Sequence, residues 1–139
     1  MKYILLLLIS LGLFACRSSK PFTPDLSKSY LKFGSEGGVT GKGNFYLLFE
    51  NGQVVNFSTM SKTYTKRKAV KASRAKDLFS QAKASGFYDL NFSANGNMTY
   101  RIESNIAGKS HIVTWSEQDK ASDAVIKLYQ ELNLIISQK

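Results

Sequence analysis

Residues 44–57 read Asn44-Phe-Tyr-Leu-Leu-Phe-Glu-Asn-Gly-Gln-Val-Val-Asn-Phe57, and this stretch decides the fold class. Apolar side chains alternate along it with a period of two. Phe45, Leu47 and Phe49 fall on one face and Tyr46 and Leu48 on the other. Glu50-Asn51-Gly52-Gln53 interrupts the run, and Val54, Val55 and Phe57 resume it. Successive side chains of a strand point to opposite faces, so the pattern describes two antiparallel strands. Asn51-Gly52 reads as their turn, because both residues accept the positive φ that a type I′ hairpin requires.

Moving toward the C-terminus, a third strand is expected over residues 63–70. Tyr64, Lys66, Lys68 and Val70 alternate there with Thr63, Thr65, Arg67 and Ala69, so neither face is apolar. That composition suits a sheet edge, where lysine blocks pairing with other chains. A helix follows, with Ser73 as its expected N-cap. Ala75, Leu78, Phe79 and Ala82 recur at helical spacing, and Gly86 stands where a left-handed C-cap belongs. A second hairpin places Met98, Tyr100, Ile102, Ser104 and Ile106 on one face, turns at Ala107-Gly108-Lys109, and returns through His111, Val113 and Trp115. A last helix over residues 122–136 carries Val125, Leu128, Tyr129, Leu132, Ile135 and Ile136 on one stripe. The expected order is βββαββα. Consecutive hairpins and two amphipathic helices make an α+β domain over residues 30–139, an antiparallel sheet of about five strands covered on one face by the two helices.

Upstream of the first hairpin, Phe33 to Gly43 reads FGSEGGVTGKG, with five glycines. A phosphate loop needs glycine five residues ahead of a Gly-Lys-Ser/Thr and opens a helix. Here position 36 is Glu, Gly43 follows Lys42, and a strand comes next. A turn or bulge is the simpler reading. The alternative is a rim loop in which the backbone around Gly37, Gly38 and Gly41 contacts an anion or a peptide.

The N-terminus gives a location. Met1-Lys2-Tyr3 and an apolar run from Ile4 to Ala15 read as a secretory signal over residues 1–15, too short to span a bilayer as a helix. Leu13-Phe14-Ala15-Cys16 resembles the lipobox of bacterial lipoproteins, with Phe14 bulkier than that pattern usually has, and Cys16 is the single cysteine. The resemblance implies diacylglyceryl transfer to the Cys16 sulfur, cleavage after Ala15 and acylation of the new amino terminus. Residues 16–29, with both prolines, read as a lipid-anchored tether. Arg17-Ser18-Ser19-Lys20 matches neither the acidic surface-display pattern nor inner-membrane retention, which implies the outer membrane, facing the periplasm. The lipobox, the block GGVTGKGNFYLLFENGQV, the helix end GFYDL, the strand GNMTYRIE and the single late Trp115 together resemble small uncharacterised lipoproteins of Bacteroidetes-type bacteria. That family carries no assigned activity.

Chemistry is sparse. His111 is the only histidine, no Gly-x-Ser-x-Gly elbow is present, and one histidine with a lipidated cysteine offers no zinc set. No catalytic, metal or cofactor site is therefore expected, and Asn56, Asn91 and Asn97 in Asn-x-Ser/Thr triplets read as chance matches in a bacterial protein. With 19 Lys and Arg against 10 Asp and Glu the formal net charge is +9, which favours anionic partners. Seven cations fall between Lys62 and Lys76. Lys66, Lys68, Lys71 and Arg74 are the candidate anion-binding set, toward anionic lipid or an envelope polymer; the competing reading is a solvated edge strand, since Lys66 and Lys68 share a strand face and Arg67 points away. No nucleic-acid-binding signature accompanies them. The expected protein is a lipid-anchored, non-catalytic binding or structural module. The alternatives are an inhibitor or envelope stress protein docking a protein partner through the glycine loop, and a hydrolase.

Overall fold

A computed structural model describes residues 20–137. The proposed signal segment and Cys16 lie outside the described residues. The chain forms β1 (Tyr30–Gly37), β2 (Lys42–Phe49), β3 (Val54–Ser58), β4 (Thr63–Lys66), helix α1 (Ala72–Ala84), a 3-10 turn (Phe87–Asp89), β5 (Met98–Ile106), β6 (Lys109–Ser116) and helix α2 (Asp123–Ser137). All strands join one antiparallel sheet in the order β4-β3-β2-β1-β5-β6. The fold is α+β, as the alternation and the helical stripes require.

Six strands stand among the described residues where about five were expected, and the order is ββββαββα. The added strand is β1, and it occupies the middle of the sheet. It bridges the two hairpins by pairing Leu31 with Leu48 on one side and with Ser104 on the other. Its sequence hides it: between buried Leu31 and Phe33 and the turn stand Gly34, Ser35, Glu36 and Gly37, the composition of a loop. The tertiary setting asks for glycine there. A Cβ at Gly34 would lie 2.2 Å from the Asn44 carbonyl oxygen of the neighbouring strand. The glycine-rich stretch is thus half central strand and half hairpin turn.

Other differences have local causes. β4 ends at Lys66 rather than at residue 70, because the chain lifts over the β2–β3 turn. There the Val70 N–H donates to the Gly52 carbonyl at 2.9 Å, and a Cβ on Gly52 would strike the Val70 oxygen at 2.1 Å. That turn is not type I′: the Gly52 N–H donates to the Phe49 carbonyl, and Gly52 has φ 88° while Asn51 keeps a negative φ. The two-residue turn with both φ positive is at Ala107-Gly108 instead. The cap of α1 is Lys71, without a side-chain hydrogen bond, not Ser73. The start of α2 follows expectation more closely, since the Ser122 hydroxyl accepts from the Val125 N–H at 3.4 Å.

The helices pack on one face of the sheet. Leu31, Phe33, Leu48, Val54, Ile102, Val113 and Trp115 from the strands meet Ala75, Leu78, Phe79 and Ala82 of α1 and Val125, Leu128, Leu132 and Ile135 of α2. Arg74 ties the helices together by donating to Glu131 at 2.6 Å. The opposite face carries a smaller cluster of Leu47, Phe49 and Val55, walled by Tyr30, Phe57, Tyr64 and Phe22. Toward its centre, charge does the covering. Lys32 pairs with its cross-strand partner Glu103 at 3.3 Å while lying over the Phe45 ring, and Arg101 pairs with Glu36 at 3.1 Å over the same ring. Phe45 is 2 % exposed as a result.

Candidate functional site

The basic cluster lies where the chain passes from β4 to α1. Strand alternation would have split it, but the chain leaves strand geometry after Lys66 and wraps the β4 edge toward α1. Arg67, Lys68 and Lys66 surround a hollow floored by Val54, Ile135 and Ile136. Lys68, Lys71 and Arg74 surround an adjoining one of about 310 Å³ with Ala69, Val70 and Ile135. Lys68 and Ile135 line both, so the two form one groove with a basic rim and an aliphatic floor. All four candidate residues border it, although Lys66, the cross-strand partner of Val55, turns its ammonium toward the helix-free face. Arg74 is engaged by Glu131, while Lys66 lies 4.7 Å from the centre of the Phe22 ring.

Phe22 belongs to the segment expected as tether. Residues 20–29 lie along the helix-free face: Phe22 packs on the Leu47, Phe49 and Val55 cluster, Pro24 is buried, and Asn105 of β5 donates to the Leu26 carbonyl at 3.4 Å. A turn at Asp25 then leads into β1. There the Ser27 hydroxyl donates to the Asp25 carboxylate at 2.6 Å and, with the Ser27 N–H and the charge of Lys28, holds that carboxyl below its ordinary range.

The glycine candidates lie at the other end of the sheet. Gly37 closes β1, the Gly38 N–H donates to the Asn97 carbonyl at 2.6 Å, and the Gly41 N–H donates to the Gly38 carbonyl at 3.1 Å. Two of the amides that could cradle a ligand are therefore spent on the turn. What the turn does present is Val39, fully exposed, with Met60 of the β3–β4 turn exposed at the same end of the sheet.

His111 has company that the sequence could not show. It faces Ser104 across the β5–β6 pair, and the Phe87 and Tyr88 rings of the 3-10 turn approach it at 4.8 and 5.9 Å. Among the described residues, His111 Nε2, the Ser104 hydroxyl and the Tyr88 hydroxyl are buried without a well-formed hydrogen bond. Orphans of this kind each cost about 1–3 kcal/mol. Burial pushes the Tyr88 phenol above the ordinary tyrosine pKa, an effect that the nearby Ser104 hydroxyl opposes and the Glu50 charge reinforces. Ser104 has no exposed surface, which leaves a nucleophile there out of a substrate's reach. Tyr88 and His111 form one side of a hollow of about 280 Å³ completed by Lys83, Ile106, Lys109 and Ser110. Sequence reading missed this site because Ser104, His111 and Tyr88 carry no common motif.

No group of three or more His, Cys, Asp or Glu among the described residues is placed to hold a metal ion, and no described helix is long and apolar enough to cross a membrane. A scan against protein-family models finds no match, and a search of curated proteins finds no significant relative.

Proposed function

We propose that the chain is a lipid-anchored cell-envelope protein whose domain is a non-catalytic binding module, held at the periplasmic side of the outer membrane through Cys16. Its basic groove meets anionic lipid or an anionic envelope polymer. The observation that carries this reading is the contact between Phe22 and Lys66. Phe22 is six residues from Cys16, so even a fully extended chain keeps it within about 22 Å of the lipidated sulfur. Lys66, stacked on that ring, brings the groove to the membrane-proximal end of the domain. The geometry of the sheet supports the orientation: Val39 and Met60 lie one strand length away, about 26 Å for the eight residues of β1. Those two exposed apolar tips favour the second reading, a protein partner docked at the far end. A hydrolase finds less support, because Ser104, which faces His111 across the β5–β6 pair, is sealed in the core.

Two measurements test the proposal. Mass spectrometry of the amino-terminal peptide should find acyl mass on Cys16, and an unmodified peptide overturns the anchor. For the groove, the Cys16→Ser chain should bind phosphatidylglycerol vesicles but not phosphatidylcholine vesicles. Binding should fade as the Debye length shrinks from about 10 Å at 0.1 M salt to about 3 Å at 1 M. Changing Lys66, Lys68 and Lys71 together to Gln should remove most of it. The same change at Lys42, Lys62 and Lys120, exposed at the far end, should remove little. Equal losses would reduce the groove to ordinary surface charge, and no binding at low salt would hand the reading to the Val39 end.

A further inference from the structure

We propose a second binding site, separate from the basic groove: the hollow between the end of α1, the 3-10 turn and the β5–β6 turn takes a small amphipathic anion. Its ligand class follows from its walls. Tyr88, Ile106 and the His111 ring provide an apolar interior, and the two charged residues at its border, Lys83 and Lys109, are both exposed cations. The volume of about 280 Å³ sits at the lower edge of the roughly 300–1,000 Å³ usual for small-molecule sites, which suits a short acyl or aromatic body with one carboxylate or phosphate. The acidic charge felt at Tyr88 is that of Glu50, and the two ammonium groups at the border outnumber it.

Independent of the cavity, the packing behind it points the same way. Among the described residues His111 Nε2 is buried without a hydrogen-bond partner, and the buried Tyr88 and Ser104 hydroxyls beside it have at most a poorly formed contact with each other, a concentration that a well-packed core avoids. Small rotations of the His111 and Tyr88 rings, both of which line the hollow, would bring their polar atoms to a seated ligand or an accompanying water. The site is thus both shaped for an apolar body and left with unused polar capacity. The anion is recognised at the rim and the polar wall adjusts behind the body.

His111 is the only histidine, so its imidazole gives a single reporter signal in nitrogen-correlated NMR of the full chain held in a non-ionic detergent. At constant alkaline pH, hexanoate should shift that signal saturably, hexanol should do so more weakly, and hexylammonium should leave it in place. Changing Lys83 and Lys109 together to Gln should weaken hexanoate binding about three- to tenfold, the size expected for two exposed charge contacts. Ile106→Trp, which fills the hollow, should abolish it. Should that variant fail to fold, the lysine pair still decides, because both side chains are exposed and outside the core. An unmoved His111 signal, an equal response to hexylammonium, or unchanged hexanoate affinity in the double lysine variant would each overturn the site. None of these outcomes depends on the anchor or on the basic groove.

Discussion

At the scale of single residues, Gly34 has the most consequence. It sits in the central strand with its α-carbon so close to β2 that a side-chain carbon would stand 2.2 Å from the Asn44 oxygen and 2.9 Å from the Phe45 α-carbon. Both atoms are backbone in the interior of the sheet and cannot swing aside. Gly34→Ala should therefore destabilise by at least the roughly 1–3 kcal/mol of an overpacked core, read as a lower denaturation midpoint. Gly41→Ala is the contrast, since nothing lies within 4 Å of a Cβ there and only its φ of 58° is unfavourable. A Gly34→Ala midpoint equal to that of Gly41→Ala would show that β1 does not pair with β2 in this register. The same residue explains why β1 escaped detection. Glycine removes the alternation signal by removing the side chain, and its purpose is visible only once the neighbouring strand is in place.

At the scale of elements, the strands and helices legible beforehand are those with a full apolar stripe. The β2–β3 and β5–β6 hairpins and both helices have one, because each buries a whole face and its period must match its geometry. β4 and the residues after it have none, so the expected strand over 63–70 overran by four residues into a crossing segment whose path depends on Gly52 beneath it. The helix α2 provides the test of the core. Leu132 has no exposed surface and lies in the cluster that joins α2 to the sheet. Leu132→Ala should cost about 2–5 kcal/mol, and the emission of Trp115, packed against Tyr129 of the same helix at 5.1 Å, should report the unfolding. An unchanged midpoint would mean that α2 does not bury this face.

At the scale of the whole molecule, residues 20–29 change what the domain is. They lie on the helix-free face and reach from Lys66 on β4 to Asn105 on β5, so that an apolar patch otherwise open to water is sheltered by the chain's own leading segment. Phe22→Ala should destabilise by about 1–2 kcal/mol, the share of a half-buried aromatic ring, and should speed proteolysis next to Lys20 and Lys28. Cleavage at an unchanged rate would show that the segment does not rest on the sheet. The sequence was sufficient for the α+β class, the antiparallel hairpins and the two amphipathic helices, because each rests on neighbours in the chain: a period or a turn dipeptide. It could not supply the central place of β1, the gathering of Lys66, Lys68, Lys71 and Arg74 around one groove, or the meeting of Tyr88, Ser104 and His111. Those depend on residues far apart in the chain. Their proximity follows from how the sheet is ordered and the helices are laid on it, which the packing of the folded chain alone determines.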